Sequence, residues 1–161
     1  MKLLVMSDSH KNIGLMQQAA EQTRPDAIMH LGDHIGDARE LQRRLPDAVI
    51  YTVVGNCDFY TQGEDELLLT LAGKKIYMTH GHIFGVKSGL DSLVKQARRR
   101  NADIALFGHT HQALLQQTEG LWLMNPGHMK QQHDRNRAAS YGIVTIEGGV
   151  IGCGIRYADS E

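Results

Sequence analysis

Residues 103–111 read DIALFGHTH, and the chain is organised differently on either side of them. Ile104 to Phe107 form an apolar run that stops at Gly108, the mark of a short buried strand. His109 and His111 come next, two positions apart on a turn, so both imidazoles can face one site. Before this stretch, apolar runs alternate with helical patterns; after it, only strand patterns remain. A βαβα half followed by a β-rich half predicts an α/β fold of two sheets packed face to face, with helices outside.

Working outward, KLLVMS (2–7) reads as a buried strand. NIGLMQQAAEQT (12–23) reads as a helix, from apolar spacing at Ile13, Met16, Ala19 and Ala20 and from Pro25 beyond its end. DAIMHLG (26–32) and AVIYTVVG (48–55) are the next strands, separated by a helix over DARELQRRL (37–45). ELLLTLAG (66–73) and KKIYMTHG (74–81) form a hairpin-like pair turning through Ala72-Gly73-Lys74. SGLDSLVKQARRRN (88–101) is a third helix with Ser88 as its expected N-cap. Beyond Thr110, the strands ALLQQTE, LWLMNPG, ASYGIVTIE and VIGCGIRYA are linked by Gly-containing turns.

Charged residues make up 22% and hydrophobic ones 42%, the balance of an ordinary globular chain. Seventeen Lys+Arg against 18 Asp+Glu leave a formal charge of -1, so no global field draws nucleic acid or a basic partner. No apolar segment reaches the ~20 residues that cross a bilayer. The N-terminal apolar run is too short for an export signal, and Cys57 and Cys153 make no disulfide framework. The expectation is a cytoplasmic protein without membrane attachment, a single domain over residues 1–161; a homo-oligomer is left open. The unusual count is nine histidines, the commonest protein metal ligand.

The chemistry lies at the ends of the apolar runs. They close in Asp8-Ser9-His10, Gly32-Asp33, Gly55-Asn56-Cys57-Asp58, His80-Gly81-His82 and Gly108-His109-Thr110-His111. Ligands of open α/β sheets bind outside the carboxyl ends of strands, so these five ends are expected to share one crevice. Singly, Gly-Asp is as often a helix N-cap and Gly-Asn a turn, but independent turns would not place donors at all five. Asp8, His10, Asp33, Asn56, His80, His109 and His111 offer oxygen and nitrogen without a thiolate cluster, unlike a structural zinc site. Seven donors suit two divalent cations sharing one carboxylate, and such a site stays positive and favours a phosphate ester. Mn²⁺, Zn²⁺, Fe²⁺, Co²⁺ and Ni²⁺ all fit this donor set.

In this order, Asp-x-His, Gly-Asp, Gly-Asn-x-Asp, His-Gly and Gly-His-x-His resemble the calcineurin-like metallophosphoesterase superfamily over roughly residues 5–130. SDSH, GNCD, THGH, GHTH and NPG look most like its small YfcE-type phosphodiesterases, a group sharing its fold with the retromer subunit Vps29. The resemblance implies a four-layer α/β/β/α sandwich of two mixed sheets. It implies Asp8, His10 and His111 on one metal, Asn56, His80 and His109 on the other, and Asp33 bridging, with Mn²⁺ the first choice. It implies hydrolysis of a small-molecule phosphodiester by in-line attack of a metal-activated water, with catalytic roles for Asp33, Asn56, Asp58 and His82. The alternatives are a phosphomonoesterase and a non-catalytic Vps29-like scaffold. His34, directly after Asp33, and His128, after the NPG motif, are the expected substrate contacts. Cys57 stands where many relatives carry a histidine and is read as neither ligand nor nucleophile. Asp37 is expected only to cap its helix, His30 to be a core or sheet-edge histidine satisfied by a hydrogen bond, and Cys153 a small buried hydrophobe.

Overall fold

Leu3 and Val5 point to one side of β1 (Lys2–Met6), Leu4 and Met6 to the other, and all four are fully buried. A strand apolar on both faces has to be covered on both. The computed structural model, which describes residues 1–158, shows how. In one sheet β1 is parallel to β2 (Ala27–His30), and β2 to β3 (Ile50–Thr52). On its other side β1 is antiparallel to β9 (Ser140–Glu147), which continues into β10 (Val150–Tyr157).

The second sheet pairs β4 (Glu66–Leu71) antiparallel with β5 (Lys74–Thr79). It continues through β6 (Ile104–Leu106) and β8 (Leu121–Asn125) in parallel, and ends in antiparallel β7 (Leu114–Thr118). Leu3, Val5, Met29, Val53, Ile76, Met78, Ile104 and Leu106 form the layer between the two sheets. The alternate residues Leu4, Met6 and Ile28 face α1 (Ile13–Thr23) and α2 (Ile35–Arg44). Tyr77, Ala105 and Leu123 face α3 (Asp91–Arg99). The architecture is the expected four-layer α/β/β/α sandwich of two mixed sheets.

Two helix starts differ from the sequence reading. Helix α3 begins at Asp91, not near Ser88, because residues 82–84 wind into a 3-10 turn and Ser88 N–H is taken by the Gly85 carbonyl at 2.9 Å. Asp91 in its first turn complements the helix dipole instead. Helix α2 begins at Ile35, with His34 at its N-cap giving no side-chain cap. Asp37 is not that cap: its carboxylate is nearly buried and accepts from Ser9 Oγ and Lys11 N–H, both at 2.7 Å, so it ties the β1–α1 loop to α2.

Candidate metal centre

The parallel strands β1, β2, β3, β5 and β6 deliver their succeeding loops to one edge of the sandwich, where the two sheets meet. The backbone there is strained. Asp8 (φ 53°), His10 (45°), Asp33 (56°), His34 (64°), His109 (69°) and His111 (57°) all lie in the left-handed region. Each such residue costs about 1 kcal/mol or more, persists only where its surroundings over-determine it, and such residues cluster at ligand sites. Two glycines explain how the loops close in. A Cβ on Gly55 would sit 2.2 Å from Asp33 Oδ1, and one on Gly108 would sit 2.1 Å from Ser7 Oγ.

Asp8 is fully buried; its Oδ2 accepts from Ser7 Oγ at 2.6 Å and from His109 N–H at 3.2 Å. Its Oδ1 lies 2.9 Å from His111 Nε2, without the alignment of a hydrogen bond, and has no other partner. His10 Nε2 is likewise buried and unpartnered. Donor atoms of Asp8, His10, Asp33 and His111 all lie within 4.8 Å of one another. Burial works to raise the Asp8 carboxyl, but the contact with His111 and the fields of His80 and His111 outweigh it and hold the pKa at about 2. Burial lowers His10, while contact with the Asp8 carboxylate raises His111.

On the other side of Asp33 stands His80, fully buried. Its Nδ1 lies 2.7 Å from the Leu31 carbonyl. A carbonyl only accepts, so Nδ1 carries a proton and Nε2 is the nitrogen left to face the site. Nε2 lies 3.1 Å from Asn56 Oδ1 and 3.4 Å from Asp33 Oδ1. A metal-ligating histidine ordinarily has its other nitrogen held by a carbonyl or carboxylate, and here the remaining nitrogen is turned toward an amide oxygen and a carboxylate oxygen. The His109 ring is 5.1 Å from that of His80, and burial together with the nearby His80 and Lys87 holds its pKa at about 4. The orphaned atoms and the mixed oxygen and nitrogen donors thus fit divalent cations.

The remaining expected site residues take different places. The His34 ring lies 4.4 Å from that of His10, tilted by 52°, and the His82 ring lies 5.4 Å from His80 with Nδ1 buried and unpartnered, so both line the crevice. His128 is fully buried and spends Nε2 on the Arg137 carbonyl at 3.0 Å and Nδ1 on Lys130 N–H at 3.1 Å. It has no nitrogen left for a substrate. Asp58 accepts backbone N–H bonds from Asp33 (2.8 Å), Gly55 (2.8 Å) and Ile35 (2.7 Å), so its carboxylate clamps the loops after β2 and β3 rather than facing the crevice. His30 is the hydrogen-bonded core histidine expected, held by Ser9 Oγ at 3.0 Å.

One functional side chain escaped the sequence reading. Asp134 Oδ2 lies 2.9 Å from His111 Nδ1, and Lys130 Nζ reaches its Oδ1 at 3.2 Å. It orients the imidazole whose Nε2 faces Asp8. Asp134 sits in the polar run 129–137, where no periodicity distinguishes it from a solvated loop; only its partner across the fold does. Asn125 of the NPG motif is fully buried and holds the GHTH loop by donating to the Gly108 carbonyl at 2.9 Å.

The model of the calcineurin-like phosphoesterase superfamily domain matches residues 1–149. The probable metallophosphoesterase YsnB of Bacillus subtilis is 40% identical over 148 residues, covering 91% of this chain and 85% of its own. The phosphodiesterase YfcE of Escherichia coli is 26% identical over 171 residues, covering 89% and 87%. A solved structure from Streptococcus pneumoniae, of a protein described as a predicted phosphoesterase, superposes with a TM-score of 0.78 at 28% identity, covering 97% of this chain and 88% of its own.

Proposed function

The chain belongs to the calcineurin-like phosphoesterase superfamily, and from that premise we propose that it is a phosphodiesterase working with two divalent cations, its residues 1–161 acting as one domain. The observation that carries this reading is the convergence of donor atoms from Asp8, His10, Asp33 and His111 within 4.8 Å of one another, with Asp8 Oδ1 and His10 Nε2 buried and without a hydrogen bond, and with His80 Nε2 and Asn56 Oδ1 beside Asp33 on its other side. Asp8, His10 and His111 would hold one cation, Asn56, His80 and His109 the other, and Asp33 would be shared. When bound, such a pair lowers the pKa of a water and offsets charge on a phosphate attacked in line.

The chain's own contribution is orientation. The Leu31 carbonyl and Asp134 set the ring positions of His80 and His111. His34 and His82 are the imidazoles left to touch a phosphate ester. Cys57 donates its backbone N–H to Asp33 Oδ1 at 2.8 Å, and in metal-free protein burial and then Asp33 push its thiol up to about 11. A thiol is a poorer proton donor at neutral pH than an imidazolium. The enzyme therefore favours esters whose leaving groups need little protonation.

The test is metal analysis of purified protein together with Mn²⁺-supported turnover of bis(p-nitrophenyl) phosphate and p-nitrophenyl phosphate. The reading expects two ions per chain, faster diester cleavage, and loss of turnover in Asp33→Asn. Faster monoester cleavage reassigns the protein as a phosphomonoesterase. Turnover no greater than that of Asp33→Asn leaves a scaffold.

A further inference from the structure

Phe59 and Tyr60 are the two most exposed large hydrophobic side chains among the described residues, at 75% and 107%. They are the central pair of a turn closed by Thr61 N–H on the Asp58 carbonyl at 3.2 Å. Tyr60 has a φ of 62°, at the turn position where a positive φ is ordinarily filled by Gly or Asn. A tyrosine there is strained and buries nothing, so folding gives no reason for it. Aromatic rings held in water at a fixed place are stacking surfaces.

The turn is fixed beside the donor cluster. Val54 N–H meets the Glu64 carbonyl at 3.0 Å and closes the base of the loop, and Asp58 N–H meets the Gly55 carbonyl at 3.1 Å. Within this loop Asn56 Oδ1 reaches His80 Nε2 at 3.1 Å. At about 3.8 Å per residue, Phe59 and Tyr60 lie within about 15 Å of Asn56 along the backbone. The two turns, Gly55–Asp58 and Asp58–Thr61, fold this stretch back on itself and shorten that span toward the reach of a nucleoside from its phosphate. The next residues, Thr61 to Asp65, are polar or glycine, so along this loop the apolar surface is confined to the two rings.

We propose that Phe59 and Tyr60 form a stacking platform for a planar aromatic group, of the nucleobase kind, carried by the phosphodiester on its non-leaving side. This rests on the phosphodiesterase reading above. The cluster, through the cations it would hold and its imidazoles, engages the phosphate and offers nothing to the organic part of the substrate, which the two rings then select. Ring contacts are equal in ground and transition states, so they act on KM more than on kcat.

The test compares two esters with the same leaving group, thymidine 5′-(p-nitrophenyl phosphate) and methyl p-nitrophenyl phosphate, in the Mn²⁺-loaded wild type and the Phe59→Ala/Tyr60→Gly variant. Glycine accepts the φ at position 60, so the variant keeps its Tm. The wild type has a KM roughly tenfold lower for the thymidine ester, and the variant loses that difference with kcat unchanged. Cleavage of both esters with the same KM ratio in both proteins overturns the platform and leaves the phosphodiesterase reading standing. A changed association state at an unchanged ratio assigns the rings to protein contact and also overturns it. If the wild type cleaves neither ester, the phosphodiesterase reading falls, and calorimetry on Zn²⁺-loaded protein decides the platform separately. Thymidine 5′-monophosphate then binds roughly tenfold tighter than methyl phosphate in the wild type and equally in the variant; equal Kd values in the wild type overturn the proposal.

Discussion

Asp58→Ala separates two roles that the same residue could play. If Asp58 is a clamp, its loss strands three backbone N–H groups, those of Asp33, Gly55 and Ile35, now bound at 2.7–2.8 Å. A hydrogen bond to a charged acceptor contributes about 1.5–3 kcal/mol. The site is only partly buried and water can replace some of the loss, so the low end applies, about 1–1.5 kcal/mol each and about 3–4 kcal/mol together. A chain of this size shifts by about 2–4 °C per kcal/mol, so Tm falls by about 10 °C. The assay is thermal unfolding with and without EDTA, alongside calorimetric metal titration. The drop is present in EDTA, and metal affinity also falls, because Asp33 and Asn56 sit on the released loops. A Tm within about 2 °C of wild type, combined with a large fall in kcat, would refute the clamp and make Asp58 a chemical participant.

The same geometry sets other outcomes. Gly55→Ala and Gly108→Ala place a methyl group 2.2 Å from Asp33 Oδ1 and 2.1 Å from Ser7 Oγ, so both lose bound metal by elemental analysis while retaining far-ultraviolet dichroism. Asp134→Ala frees the His111 ring and weakens metal binding by about 10–100-fold in calorimetry, with Lys130→Ala having a smaller effect. In metal-free protein, Asp134 is held at about 2, because hydrogen bonds from His111 and Lys130 outweigh the raising effect of burial. Its depressed folded pKa means its ionised form stabilises the fold above the unfolded value of about 3.9, a contribution lost as pH falls through about 2. The Tm of Asp134→Asn therefore depends less on pH between about 4 and 2 than that of wild type, and parallel curves would count against the contact. Burial pushes the Cys153 thiol up to about 12, so it resists Ellman's reagent at pH 8 in native protein and reacts on unfolding.

The layers of the fold were readable along the chain because burial on both faces leaves an uninterrupted apolar run, as in KLLVM and IALF, and amphipathic spacing marks the helices between them. The donors at the strand ends were readable for the same reason: Asp8, Asp33, Asn56, His80 and His109 each come directly after such a run. Local pattern carries this information because hydrophobic period and turn chemistry act over a few residues. Everything that depends on a partner far along the chain was decided only by the tertiary structure. Asp134 meets His111 from a polar loop, Asp37 leaves its own helix to bind Ser9 and Lys11, and His128 spends both ring nitrogens on backbone. Asp58 could be told from a chemical acid only once three N–H groups from two loops were seen to point at it. A hydrogen bond has no period along the sequence, so its partner emerges only when the two sheets have packed and brought their loops to one edge.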